Sequence, residues 1–164
     1  MRIVLSIGAM MMAAIVAAVI GGNVSWRRGT ANKVDRLAST IADPSRIHGF
    51  AFQDQLPAPV ARYFRRALKG IQHSVRSAIA TQQAEFFING GWRPLTATQY
   101  FTAAPPGFVW DARVEMAPLM TAQVRDAYVS GRGSLQASMY GLYPIVDLEG
   151  APELNSGALQ RFLG

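Results

Sequence analysis

The residues best able to do chemistry lie between Gly91 and Leu135, in a stretch of alternating pattern. Asp111, Arg113 and Glu115 alternate there with apolar positions, and Arg125 and Asp126 stand side by side further on. Two carboxylates on neighbouring strands, Asp111 and Asp126, are what a glycosidase-like acid and base would need. Any two acidic residues on adjacent strands meet that description, so cross-strand ion pairing on a solvated face is the competing reading. Other reactive types are sparse. His48 and His73 stand apart from each other and from the carboxylates, without the spacing of a metal site or a nucleophile–histidine pair. The chain has no cysteine, which removes thiolate ligands, a cysteine nucleophile and disulfides. Gly131-Arg132-Gly133 lacks the Lys-Ser/Thr of a nucleotide loop and reads as a hairpin turn. The sequence therefore names no catalytic group, no metal ligand and no cofactor.

Aromatic residues gather in the same stretch: Trp92, Tyr100, Phe101, Phe108, Trp110 and Tyr128. Packing in a core is their ordinary use. On a curved sheet with an apolar concave face they would instead line a lipid-sized cavity, and Asp126 and Tyr128 would face a polar site inside the half-barrel. These seven positions are the candidate ligand-binding set.

A period of two defines the elements that would hold them. Strands are expected over Val75–Ile88, Trp92–Thr102, Phe108–Met116, Thr121–Ser130 and Gly133–Tyr140, with 144–150 as a loop. Asn89-Gly90-Gly91 and the Pro-Gly segment 103–107 supply turns. Before the strands, Leu56–Lys69 reads as a helix with Val60, Tyr63, Phe64 and Leu68 on one side and Arg62, Arg65, Arg66 and Lys69 on the other. A last helix is expected from Ser156 to Leu163. Five strands do not close a barrel, so the open sheet needs a further layer. The helix at 56–69, or a second copy of the chain in a homodimer, would supply it.

The amino-terminal part places this sheet. Ile3 to Ile20 is an uncharged apolar run, at the lower limit of a bilayer-spanning helix. Trp26, Arg27 and Arg28 follow it as interfacial anchors, which favours a retained anchor over a cleaved signal peptide. Residues 30–42 carry Val34, Leu37 and Ile41 at helical spacing, consistent with a short helix lying on the membrane. Three parts follow: a transmembrane helix at 1–28, a juxtamembrane helix and linker at 29–55, and a helix-plus-sheet domain at 56–164. Charge supports this order, since residues 1–76 hold eleven Lys/Arg against three Asp/Glu, and 77–164 hold five against seven. A basic membrane-proximal half suits anionic lipid, with Arg62, Arg65 and Arg66 as further membrane-surface candidates. Strands that are not basic offer nucleic acid no face.

The pattern W-R-P-x-T-A-x-Q-x-F-x-A-x-P-P-G-F-V-W-D-A-R, then V-R-D-A-Y-V-x-G-x-G-S-L, resembles an uncharacterised bacterial family, a domain of unknown function in membrane-associated proteins. The preceding L-P-x-P-V-x-R-Y-F helix belongs to the same pattern. The resemblance implies a curved half-barrel sheet similar in outline to lipoprotein-carrier domains, with no established activity. It also implies further strands beyond Gly164, so the domain is expected to be incomplete. The expectation is an α+β protein: a transmembrane helix, then a helix packed on a curved antiparallel meander. Its expected place is a single pass in a bacterial inner membrane. Its expected role is a non-enzymatic binding module for an apolar ligand such as membrane lipid. A truncated product without independent function and a carboxylate-based hydrolase are the alternatives.

Overall fold

One helix crosses the boundary that composition suggests at residue 28. In the computed structural model, α1 runs unbroken over Arg2–Ser39, 38 residues or about 57 Å. The model describes residues 2–41, 56–67, 69, 75–88 and 90–163. His48, His73 and the linker expected after residue 46 lie outside the described residues, apart from Leu56. The Gly21-Gly22 pair does not break α1, because a glycine in a helix costs only about 1 kcal/mol relative to alanine.

The helix α2 (Ala58–Ala67) follows, then six strands and a final helix. The strands are β1 (Ser77–Ile88), β2 (Gly91–Thr102), β3 (Gly107–Ala117), β4 (Met120–Val129), β5 (Arg132–Met139) and β6 (Tyr143–Glu149). They pair in sequence order, all antiparallel, in one open sheet with β1 and β6 as its edges. The final helix α3 covers Pro152–Leu163. This is the expected α+β class with one strand more than the pattern suggests. Strand β6 replaces the expected loop, and Pro144 is tolerated within it because an edge strand needs no ladder bond on its outer side.

Alternation divides the sheet into two faces. Opposite Asp111 in β3 stands Arg125 in β4, and opposite Trp110 stands Asp126. Asp111 and Arg125 thus share one face with Val109, Gln123 and Ala127, while Trp110 and Asp126 share the other with Phe108, Ala112 and Val114. The second half of α1 covers the first face and α3 covers part of the second. A core forms where α1 ends, with Leu37 against Val109 and Ala127, and with Val34, Tyr100 and Val129 around them. On the α3 face Leu95, Ala97, Ala112, Val114 and Ala122 pack with Trp110, Met116, Val124 and Met139. Among the described residues of the expected α2 stripe, Tyr63 is 67% exposed, Val60 is exposed and Phe64 is half-buried, so the stripe is largely open.

Candidate functional site

Small and polar residues recur along one side of α1: Gly22, Asn23, Trp26, Gly29, Thr30 and Lys33. Their spacing of three and four puts them on a single face. The two glycines let the helix lie close to the sheet. A Cβ on Gly22 would fall 2.6 Å from the Tyr140 carbonyl and from Leu142 Cγ in the β5–β6 turn. One on Gly29 would fall 3.0 Å from an Arg125 Nη.

This close approach builds a buried polar clamp. The Trp26 indole N–H donates to Asp111 Oδ1 at 2.8 Å, and the Thr30 hydroxyl reaches Oδ2 at 3.1 Å. Arg125, only 4% exposed, donates from Nε to Thr30 Oγ1 at 3.0 Å and from Nη2 to the Trp26 carbonyl at 2.6 Å. Its Nη1 reaches Gln136 at 3.0 Å, and its guanidinium lies 4.2 Å from the centre of the Trp26 ring. Burial lowers the guanidinium's pKa, and the Asp111 charge opposes that shift. Above and below, Gln123 donates to Asn23 at 2.6 Å and Lys33 to Ser134 at 3.0 Å. A buried cation without partners would be very costly, so these bonds fix both the rotation and the register of α1 on the sheet.

Beside the clamp, between α1 and strands β1–β4, lies a polar cleft of about 600 Å³. Thr81, Gln83, Thr96 and Thr98 form one wall, and Asn23, Arg27, Asp111, Arg113 and Gln123 the other. Gln123 Oε1 is buried there and accepts no hydrogen bond. A second, smaller hollow shares Asn23, Arg27 and Arg113 with the cleft and continues to Ile20 and Val24. The cleft therefore leads to the residue at which the apolar run of α1 ends.

On the α3 face the arrangement is different. Arg161 of α3 pairs with Asp126 and lies 5.4 Å from the Phe108 ring and 5.0 Å from the Trp110 ring. Burial raises the Asp126 carboxyl's pKa, and Arg161 opposes that shift. Trp110 donates to Gln82 at 2.8 Å, and Gln82 to Gln99 at 3.3 Å.

The expected ligand set divides between these faces. Phe101, Phe108, Trp110, Asp126 and Tyr128 share the α3 face, whereas Trp92 and Tyr100 lie on the α1 face. Phe108 is wholly buried, Tyr100 packs near Leu37, and Trp92 is 63% exposed against Phe87 at the β1–β2 end. Asp111 and Asp126 point to opposite sides of the sheet, so no substrate reaches both, and an acid–base pair of the glycosidase kind is not formed. Among the membrane-surface candidates, Trp26 faces inward to Asp111, while Arg27, Arg28, Arg62, Arg65 and Arg66 are exposed. Asn23, Thr30, Gln123 and the β1–β2 threonines were not among the expected site residues. The signal for the first two was the recurrence at three and four through residue 37.

Fold and site together define a class: an α+β protein whose long apolar N-terminal helix continues onto one face of an open antiparallel sheet. By length and composition that helix can cross a membrane, a test that a signal sequence also passes. Within this class the chain belongs to the DUF6920 family, a family of unknown function whose model matches residues 54–164. Helix α1 lies outside the matched range. No curated protein matches the chain, and no solved structure matches it.

Proposed function

We propose that the chain is a single-pass membrane-anchored, non-enzymatic binding module that holds the polar headgroup of a membrane lipid in the cleft beside α1. The observation that carries this reading is the continuity of the cleft with Ile20 through Asn23, Arg27 and Arg113. A lipid could keep its acyl chains in the bilayer while its headgroup entered among hydroxyls, amides and two guanidiniums, with the Asp111 carboxylate tied back to Trp26 and Thr30. Arginine suits the phosphate of such a headgroup because its fork donates two parallel hydrogen bonds. Retention of α1 as an anchor is supported by its second half, which is built into the sheet through Trp26, Thr30 and Leu37. A binding role is favoured over hydrolysis because the strand carboxylates are separated, Asp111 held by Trp26 and Thr30 and Asp126 by Arg161.

The test is native mass spectrometry of the full chain, extracted from its own membrane in mild detergent. A one-to-one adduct with the mass of an anionic phospholipid is expected, and it should be lost in Arg113→Gln. A bare polypeptide mass, or an adduct indifferent to Arg113→Gln and Arg27→Gln, would remove the headgroup reading.

A further inference from the structure

Three of the five hairpin turns lie at one end of the sheet. In a meander the β1–β2, β3–β4 and β5–β6 turns share an end, and the β2–β3 and β4–β5 turns share the other. The first end is the one beside α1 at Gly22, since the β5–β6 turn touches that glycine two residues past Ile20. The Tyr140 hydroxyl donates to the Leu119 carbonyl, which ties the β5–β6 and β3–β4 turns together. Arg93, Arg113, Leu119 and Met120 line one further hollow, which joins the β1–β2 end to them.

The two ends differ in chemistry. At the Gly22 end Leu119 is 94% exposed, Tyr143 71%, Trp92 63% and Phe87 57%, with Leu142 and Met120 about half exposed. The turns at the far end carry Ala103, Ala104, Pro105 and Pro106, then Ser130 and Gly131, and the exposed apolar residues there, Val75 and Ile79, lie at the start of β1 and not in a turn. Leu119 is unusual in a second way. It sits at φ 62°, a left-handed conformation in which glycine or asparagine is cheaper. In water, neither the backbone nor the side chain favours leucine at that tip. Just behind the tips stand Arg27, Arg93 and Arg113, with one carboxylate, Glu115, among them. Apolar and aromatic tips backed by cations form the profile of a surface seated in the interfacial layer of a bilayer.

We infer that these three hairpin tips rest in the headgroup layer of an anionic bilayer, so that the sheet sits on the membrane besides being tethered to it. The inference rests on the anchor reading of α1 and is independent of headgroup binding in the cleft. A chain without cysteine allows a direct test. Leu119→Cys, Leu142→Cys, Ser130→Cys and Met12→Cys would each be labelled with a small fluorophore. The full chain would then be reconstituted in phosphatidylglycerol–phosphatidylcholine vesicles containing lipid with brominated acyl chains. Labels at 12, 119 and 142 should lose most of their emission to the bromolipid, and the label at 130 should keep it. Quenching at 12 with labels at 119 and 142 open to aqueous iodide would overturn the inference and leave the anchor standing. Quenching at none of the four would remove the anchor and the inference with it. Shielding of 119 and 142 from both quenchers, in a chain that sediments as a dimer, would assign the tips to a second copy instead.

Discussion

Trp26 and Asp111 are 85 residues apart in sequence and 2.8 Å apart as donor and acceptor. This bond joins the helix that carries the apolar run to the middle of the sheet. Arg125 completes it, bonding the Trp26 carbonyl and Thr30 from beneath the same indole. The membrane-crossing candidate and the sheet therefore form one body at this point. A load on either is transmitted through a helix held by buried polar bonds, with Leu37 packed beyond them.

The first prediction follows from the burial of Arg125. Removing its nearby negative charge leaves a cation in a low-dielectric setting, so Asp111→Ala should destabilise the chain by about 3 kcal/mol or more. Arg125→Met should cost less, because Asp111 is half-buried beside the cleft and keeps its bonds to Trp26 and Thr30. The double variant Asp111→Ala/Arg125→Met should lose clearly less than the sum, since neither charge is then left uncompensated. Urea unfolding of the full chain in detergent, followed by the emission of its three tryptophans, measures all three. Additive losses below about 1 kcal/mol would show that the clamp is solvated in solution.

A second prediction separates two adjacent glycines. Gly22→Val places a Cβ 2.6 Å from the Tyr140 carbonyl, a backbone atom of a tight turn, so the helix must move off the sheet. Overpacking of this kind typically costs about 1–3 kcal/mol. Nothing lies within 4 Å of a Cβ on Gly21, so Gly21→Ala should be neutral or raise stability by up to about 1 kcal/mol through helix propensity. Thermal unfolding of the two variants against the parent decides the matter. Equal effects would mean that α1 is not docked at the β5–β6 turn.

Much of the fold is legible in the sequence because period-two alternation from β1 to β5 is strong and its turns are marked by Gly and Pro. Strand β6 is not, because Pro144, Asp147 and Gly150 are loop signals, and only its edge position makes the proline acceptable. Trp26-Arg27-Arg28 shows how one pattern serves two physical ends. Tryptophan beside arginine after an apolar run is the signature of an interface, yet Trp26 turns inward because Asp111 offers its N–H a half-buried acceptor. The register sets Asp111 opposite Arg125, but the carboxylate bonds Trp26 and Thr30, and the guanidinium bonds Thr30, the Trp26 carbonyl and Gln136. The burial of Arg125 could not be read from the strands, since it comes from α1, more than 80 residues away. The carboxylate pair failed for a simpler reason: 111 and 126 are opposite in parity relative to the β3–β4 register, so their side chains leave opposite faces.

The last prediction concerns pH and the α3 face. Asp126 has its carboxyl pKa raised in the folded chain, chiefly by burial, with Arg161 opposing the rise. Below the ordinary carboxylate range the group is protonated in folded and unfolded chains alike, and it contributes no penalty. As pH climbs from that range through the raised folded value, the unfolded carboxyl ionises first and stability falls. The loss is complete once the folded carboxyl has ionised too. Asp126→Asn should remove this fall, so its stability relative to the parent should improve as pH rises from the ordinary carboxylate range through the raised folded value. Arg161→Met acts the other way. It withdraws the cation that opposes the shift, which raises the folded pKa further and deepens the fall. Its cost should be small at the acid end and about 1 kcal/mol at the neutral end, because Arg161 is partly exposed and its pair is screened by solvent. Urea midpoints for the parent and both variants across that range test the sign directly. A parent chain that gains stability with rising pH, and an Asp126→Asn variant that abolishes the gain, would mean that Arg161 outweighs burial at this site.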